Sequence, residues 1–165
     1  MSEHRNDEQR AHARLEHLLE HTSLMLATCS GEGQPEASSM PFVLHGDALA
    51  IFVSELAPHT ANLQQNPRAS ALIAEDEAEC RQPFARQRLH LQCEVGQAGP
   101  EQRAALLEAF RNRFGKTVDL LGSLPDFHFF LLRPVSARLV LGFGQAWQVT
   151  WPQRSLHRIT AERDD

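Results

Sequence analysis

A pair of glycines near the C-terminal end of this 165-residue chain is the first pattern that could do chemistry. Gly142 and Gly144 stand with Trp147 in the stretch LVLGFGQAWQV, which gives the spacing G-x-G-x-x-W. A phosphate-binding turn of the dinucleotide type needs a third glycine at the last of these positions and a helix directly after it. Here β-favouring residues continue as far as Pro152, and no helix is predicted. The glycines therefore predict a bent or bulged strand pair over 135–149.

The cysteines and histidines are the other residues whose chemistry must be placed. Cys29, Cys80 and Cys93 have no C-x-x-C spacing and are odd in number, which predicts free thiols rather than disulfides or a zinc site. Nine histidines are many for this length, and most of them are expected to be solvated. His90 lies on the polar side of an alternating stretch, where solvent or a dimer interface would meet it.

Composition limits the classes of protein that the chain can belong to. Apolar residues make up 42% and charged residues 22%, which is typical of one soluble globular domain with a substantial core. No apolar run approaches the roughly 20 residues of a membrane span. The net charge of −5, with no basic stripe, excludes nucleic acid as the main partner. The N-terminal stretch is charged rather than apolar like a signal peptide, so we expect a cytoplasmic protein with no membrane partner.

The spacing of apolar residues predicts a mainly β protein with flanking helices, in the α+β class. Helices are expected over 7–21, 58–67 and 99–115, and the first of them places Ala11, Leu15, Leu18 and Leu19 on one face. Strands are expected over 22–30, 37–46, 48–54, 69–75, 88–95, 127–134 and 135–149. Runs of short strands with hairpin connections favour a closed or partly closed antiparallel barrel over a doubly wound sheet. We expect an N-terminal helix (1–21), a barrel domain (22–151) and a C-terminal tail (152–165).

Four stretches occur in an order that resembles a known family. They are SSMPF (38–42), SELAPHTANLQQNPRASALIAEDEAE (from Ser54), PFARQRL (83–89) and GFGQAWQV (142–149). Together they resemble the FMN-binding split barrel of the pyridoxamine 5′-phosphate oxidase superfamily, and more narrowly its heme-utilization branch, the HugZ/HutZ-type proteins. The similarity spans roughly residues 20–150. It implies a homodimeric split β-barrel whose cofactor lies in a crevice between the subunits.

The wider superfamily implies a flavin site. Its members tend to carry a lysine, which contacts the FMN phosphate, in the helix before the Asn-Pro pair, and His59 holds that place here. Histidine is mostly neutral at pH 7, so a dianionic phosphate would lose a fixed countercharge, which weakens the case for FMN. The residues that the resemblance places at the cofactor are Ser38, Ser39, Met40, Ser54, His59 and Asn62. In the alternative interpretation the serines belong to the sheet surface and His59 to the helix surface.

The heme-utilization branch implies a different site. Heme iron needs an axial imidazole, and the family places it in the C-terminal tail, where His157 is the only histidine after GFGQA. Asp126 matches the carboxylate that reaches this histidine, apparently from across the dimer, and a carboxylate partner fixes the imidazole tautomer. Arginines suit the heme propionates, and Arg81, Arg86 and Arg88 bracket or follow PFA. Alternatively, Asp126 caps a turn, the arginines are solvated, and His157 is a tail histidine that does not bind iron.

Three functional hypotheses follow. The first is a heme-binding protein of heme-iron utilization, which as an enzyme would degrade heme with O2 and an external electron donor and release iron. The second is an FMN-dependent oxidoreductase, and the third is a non-catalytic cofactor-binding module. No catalytic residue can be assigned from the sequence, and the fold alone does not choose among the three.

Overall fold

The computed structural model describes the backbone of residues 2–160 and the side chains of residues 6–160. The α-helices are α1 (Ser2–Leu19), α2 (Pro58–Gln65), α3 (Pro100–Phe114) and α4 (Thr117–Gly122), and a 3-10 turn covers Pro83–Ala85. The strands are β1 (Ser23–Cys29), β2 (Pro35–His45), β3 (Ala48–Ser54), β4 (Arg68–Ala74), β5 (Arg88–Gln97), β6 (Phe127–Gly142), β7 (Gln145–Thr150) and β8 (Ser155–Arg158). None of the helices in this part of the chain is long and apolar enough to cross a membrane.

The strands β1–β6 form a partly closed antiparallel barrel. Their order is β3-β2-β1-β4-β5-β6, and pairing of β3 with β6 closes the ring, while β7 and β8 extend the sheet outward from β6. Only the end of β2, from Phe42 to His45, pairs with β3, and the first part of β2 pairs with β1 alone. The barrel is therefore open along that edge. The predicted mainly β barrel with flanking helices is confirmed.

The barrel interior is packed with aliphatic side chains and is completed by α1. The helical face predicted from the sequence is confirmed, because Ala11, Leu15, Leu18 and Leu19 are at most 2% exposed. They join one core cluster with interior residues of the strands, such as Leu26. Burial of each such leucine stabilises the fold by about 1.5–3 kcal/mol, so α1 is part of the barrel's core.

A second core cluster lies outside the barrel, where α3 and α4 cover β2, β3 and the first half of β6. Phe52 stacks on Phe129 with ring centroids 4.1 Å apart, and Phe110 of α3 packs against both rings. Strand β3 is consequently buried on both faces, which explains its unbroken apolar sequence up to Ser54. We call this surface the covered face.

Strand β6 is longer than the sequence predicted, because 127–134 and the start of 135–149 form one strand. Pro134 lies within it, opposite a register shift between Gln92 and Cys93, where the ladder is irregular and tolerates a residue without an N–H. The strand pair predicted from the glycines is confirmed as β6 and β7. Gly144 adopts φ of 66° in the turn between them, a conformation that favours glycine.

Two elements were absent from the sequence prediction. Helix α4 is short, and β8 is formed by four residues of the C-terminal stretch, with only Leu156 buried. Residues around β8 also contact α1, since Arg154 donates to Glu16 at 2.7 Å and Arg158 donates to Asp7 at 3.4 Å. The two sequence-distant elements are thereby tied together.

Candidate cofactor site

The end of β3 and the start of β6 hold a serine and an aspartate in contact. The Ser54 hydroxyl donates to Asp126 Oδ2 at 2.7 Å and accepts a hydrogen bond from the Leu56 N–H at 3.1 Å. The Glu55 N–H donates to the Asp126 carbonyl at 2.8 Å, which fixes the two backbones relative to each other. Asp126 is half-buried, so its carboxylate is both oriented and accessible.

A second polar pair lies beside the first one. His128 Nε2 lies 2.5 Å from Glu55 Oε1, and the histidine side chain is 24% exposed against 54% for the glutamate. Leu56, which follows Glu55, is 88% exposed. This end of the barrel therefore presents two oriented acid groups next to an exposed aliphatic side chain.

Helix α2 packs over the same end of the barrel. The Asn62 amide donates to the buried Thr28 hydroxyl at 3.0 Å, so Asn62 anchors the helix to β1. The Thr60 hydroxyl donates to the Ser54 carbonyl at 2.6 Å and anchors the helix to β3. Burial lowers the pKa of His59, an effect that nearby Glu36 partly opposes. His59 is therefore neutral at pH 7 and supplies no fixed positive charge.

The three consecutive residues Ser38, Ser39 and Met40 do not share one face of β2. Successive side chains of a strand point to opposite sides, so Ser38 and Met40 point to the barrel interior and Ser39 to the outside. Met40 is buried in the core. Ser38 Oγ is buried and has no hydrogen-bond partner among the described residues, which leaves a polar atom available to a bound molecule.

The predicted arginines lie in another region, around the connection between β4 and β5. Arg86 Nε donates to the Glu75 carbonyl at 2.9 Å, and an Arg88 guanidinium nitrogen donates to the Arg86 carbonyl at 2.8 Å. Arg81 lines an open groove of about 590 Å³ together with Arg14 and other polar side chains. Two of the three arginines thus brace the backbone, and Arg81 is exposed.

Two exposed aromatic rings accompany these arginines, and sequence reasoning did not assign them. Phe84 is 84% exposed in the 3-10 turn, and Phe143 is 72% exposed in the turn between β6 and β7. The two turns are neighbours, since a Cβ built on Gly142 would lie 3.9 Å from the Ala85 Cβ. Large apolar rings inside turn segments are the signal that could have found them.

The structure does not bring the predicted site residues together within one chain. The connection that carries the arginines begins after Ala74. Ala74 pairs with Arg88 at one end of the β4–β5 ladder, and Arg68 pairs with Glu94 at the other end. The Ser54–Asp126 pair and α2 lie at a different end of the barrel from the arginines. His157 is exposed on β8, and β8 pairs with β7, which joins β6 only from Ala137 onward.

Between these two regions, no helix in the described part of the chain packs on the outward side of β1, β4, β5 and the first part of β2. Its strand register places Ser39, Met25, Leu72 and His90 in one row, and Met25 is 43% exposed. We call this row, together with Ala27 and Ser70 of the next row, the open face. Burial lowers the pKa of His90, and Arg138 and Arg88 lower it further. The face is mostly uncharged and carries small or apolar side chains at its centre.

An antiparallel barrel that is open along β2, with a helix across one end, is a split barrel. The sequence matches the pyridoxamine 5′-phosphate oxidase family over residues 10–141. It is also 37% identical over 133 residues to the heme oxygenase HutZ of Vibrio cholerae serotype O1, which covers 79% of this chain and 76% of HutZ. The chain belongs to the pyridoxamine 5′-phosphate oxidase family of split barrels, and within it to the HutZ-type branch.

Solved structures agree with this assignment. The crystal structure of HutZ, described as the heme storage protein of Vibrio cholerae, has a TM-score of 0.71 at 33% identity over 74% of this chain and 88% of that one. A heme-binding protein from Mycobacterium smegmatis has a TM-score of 0.70 at 31% identity over 78% of this chain and 52% of that one. ChuZ of Campylobacter jejuni has the same fold, with a TM-score of 0.84 at 24% identity over 94% of this chain and 65% of its own.

Proposed function

We propose that this protein binds heme as a homodimer and serves heme-iron utilization. The observation that carries the proposal is the separation of the site residues. An oriented aspartate lies at one end of the barrel, arginines and exposed aromatic rings lie at the other end, and an uncovered face lies between them. A two-fold pairing of open faces would bring unlike ends of two copies together and would complete the site in the seam. The 37% identity to HutZ supports heme as the ligand.

The residues of the chain fit the chemical groups of heme. The flat apolar ring would pack against Phe84 and Phe143, which have no other apolar cover in the described part of the chain. The propionates would pair with Arg81 and with the free guanidinium nitrogens of Arg86, since the guanidinium fork matches a carboxylate. His157 is exposed and would supply the axial imidazole. Asp126 of the other copy would accept a hydrogen bond from its second ring nitrogen.

The residues of the chain would bind, orient and protect the heme. The heme would supply the redox-active iron at which oxygen reacts. Activity would require an external electron donor, because the chain offers no redox group of its own beyond free cysteines. HutZ is described both as a heme oxygenase and as a heme storage protein, so the site has two candidate uses. Free cysteines are consistent with the cytoplasm, where we place the protein.

The test is a heme titration of the purified protein and of His157→Ala, followed by the Soret band. We expect a shifted Soret band in the wild type and, in the variant, a loss of about tenfold or more in affinity, equivalent to about 1.4 kcal/mol. His12→Ala, which removes an exposed histidine from α1, is the matched control and should bind as the wild type does. No spectral change in the wild type would overturn the proposal, and an unchanged His157→Ala would remove His157 from the site.

Turnover separates an oxygenase from a storage protein. Heme-loaded protein is mixed with a chemical reductant in air, and the Soret band is followed together with chelatable ferrous iron. Loss of the band with release of iron is expected of a heme-degrading enzyme. A stable band over the same period assigns storage instead.

FMN is the second candidate, and one observation favours it. The buried Ser38 hydroxyl, which has no partner within the described residues, lies on β2 in a family named for a flavin enzyme. The neutral His59 argues against it, because a phosphate dianion there would have no fixed countercharge. Quenching of FMN fluorescence on titration of the protein, with Ser38→Ala weakening it, would support the flavin, and unquenched fluorescence would exclude it.

A further inference from the structure

We propose that Ser54 is a positioning residue: its hydroxyl holds the Asp126 carboxylate in the orientation from which it receives an imidazole N–H. This inference rests on the proposed heme function and adds a residue to it. The resemblance to flavin enzymes placed Ser54 at a cofactor, but its hydroxyl is committed to Asp126 at 2.7 Å. Ser54 would therefore act on the ligand through another residue.

The hydrogen bonds around Ser54 give its hydroxyl proton one direction. The Leu56 N–H donates to Ser54 Oγ at 3.1 Å, so the oxygen is an acceptor on that side, and its own proton is directed to Asp126 Oδ2. Backbone N–H, hydroxyl and carboxylate thus form a chain in which each hydrogen bond polarises the next one. A carboxylate held at one oxygen by such a chain has a defined orientation.

The backbone on both sides of this pair is fixed independently of the two side chains. The Thr60 hydroxyl donates to the Ser54 carbonyl at 2.6 Å, and the Glu55 N–H donates to the Asp126 carbonyl at 2.8 Å. Loss of the Ser54 hydroxyl would therefore free the carboxylate without separating β3 from β6. The side-chain effect can be measured apart from a loss of structure.

No other side chain in the described part of the chain substitutes for Ser54. The neighbouring His128 directs Nε2 to Glu55, and within the described residues Asp126 receives a side-chain hydrogen bond from Ser54 alone. Asp126 Oδ1 receives no hydrogen bond from residues 6–160, which leaves this oxygen for an imidazole. A group that accepts the N–H of a metal-bound imidazole fixes the tautomer of that imidazole. The orientation of Asp126 would therefore affect the iron–histidine bond.

The first experiment uses protein without heme. The side-chain carboxyl ¹³C resonance of Asp126, assigned by its loss in Asp126→Asn, is compared among the wild type, Ser54→Ala and Ser54→Thr at pH 7. We expect a shifted resonance in Ser54→Ala and a wild-type position in Ser54→Thr, which keeps the hydroxyl. Ser123→Ala is the matched control, since that hydroxyl donates only to the nearby Leu120 carbonyl. An unchanged resonance in Ser54→Ala would overturn the inference.

The second experiment uses the heme-loaded dimer in its ferrous form and records the iron–histidine stretching band by resonance Raman spectroscopy. We expect Ser54→Ala to lower the frequency toward that of Asp126→Asn and Ser54→Thr to restore it. If the wild type shows no such band, the proposed heme function and the imidazole part of this inference both fail, and the ¹³C result alone decides whether Ser54 orients Asp126. If Asp126→Asn lowers the band and Ser54→Ala does not, the role of Ser54 fails while heme binding stands.

Discussion

The covered face and the open face are two outer surfaces of one barrel, and they differ in what packs over them. On the covered face, Phe52 and Phe129 are sealed by Phe110 and the rest of α3. On the open face, Met25 and Leu72 are partly exposed, and no helix within residues 2–160 lies over them. Both surfaces carry apolar side chains, but only one of them is buried within the chain.

If the open face is the interface of the proposed homodimer, the difference separates the residues that stabilise the fold from those that serve assembly. Large aromatic rings concentrate on the covered face, where they contribute to folding of the single chain. Small or medium side chains such as Ala27 and Ser70 occupy the open face, where a flat surface suits a second copy of the same sheet. Substitutions on the two faces should therefore differ in what they affect: the free energy of unfolding on one, the association of two copies on the other.

The largest expected effect is on the covered face. Phe110→Ala removes a ring that is 2% exposed and contacts both Phe52 and Phe129, so the free energy of unfolding should fall by about 3–5 kcal/mol. Urea unfolding followed by circular dichroism measures it. Leu120→Ala, at a residue 66% exposed on α4, is the control and should change the free energy by no more than about 0.5 kcal/mol. A loss below about 1 kcal/mol in Phe110→Ala would mean that α3 does not seal this face.

An intermediate effect is expected on the open face. Leu72→Glu places a carboxylate in each of two facing surfaces, so the dimer should dissociate with its Kd raised by about 100-fold or more, because unpaired charges are desolvated together. Size-exclusion chromatography with light scattering measures the mass, and urea unfolding should show a stable monomer. Leu120→Glu, on the outer side of α4, should remain dimeric. A wild type that is monomeric in the same measurement would contradict the proposal that the open face is a dimer interface.

The smallest effect is a pH dependence from His90 on the open face. Its folded pKa lies below the ordinary value of 6.5 because burial, Arg138 and Arg88 disfavour the charged form, so the unfolded chain binds more protons. The stabilising contribution is therefore present above pH 6.5 and is lost as the pH falls from there through the lowered folded pKa. His90→Gln should make the unfolding free energy depend less steeply on pH between 7 and 5, as measured by urea unfolding at each pH. Equal slopes in the two proteins would show that His90 is not held in its neutral form.

Much of the fold could be predicted because its signals are local. The face of α1 follows from residues three and four apart, and β5 follows from strict alternation between Arg88 and Val95. The continuity of β6 through Pro134 was not predictable, since it depends on an irregularity in β6 itself, where Val135 is skipped between the pairs Cys93–Pro134 and Gln92–Ser136. Helix α4 and β8 are too short for their own periodicity to indicate them.

The sequence indicated candidate site residues but not their geometry. The motif order selected Ser54 and Asp126, whereas their hydrogen bond depends on the pairing of β3 with β6, across 72 residues of chain. Ser38 and Ser39 were grouped by sequence, although the strand pleat sends them to opposite sides. The role of His157 stays a prediction until the heme titration is made.

The contacts of α1 with the residues around β8 have a consequence for His157. Glu16 accepts from Arg154, which directly precedes β8, and Asp7 accepts from Arg158, the last residue of β8, so both ends of the strand that carries this histidine contact α1. The first helix thereby supports the last strand, and trimming that helix would loosen the imidazole of His157, which is the proposed iron ligand. Any variant that lacks part of the first 20 residues should therefore be expected to affect the support of His157 as well as the packing of the core.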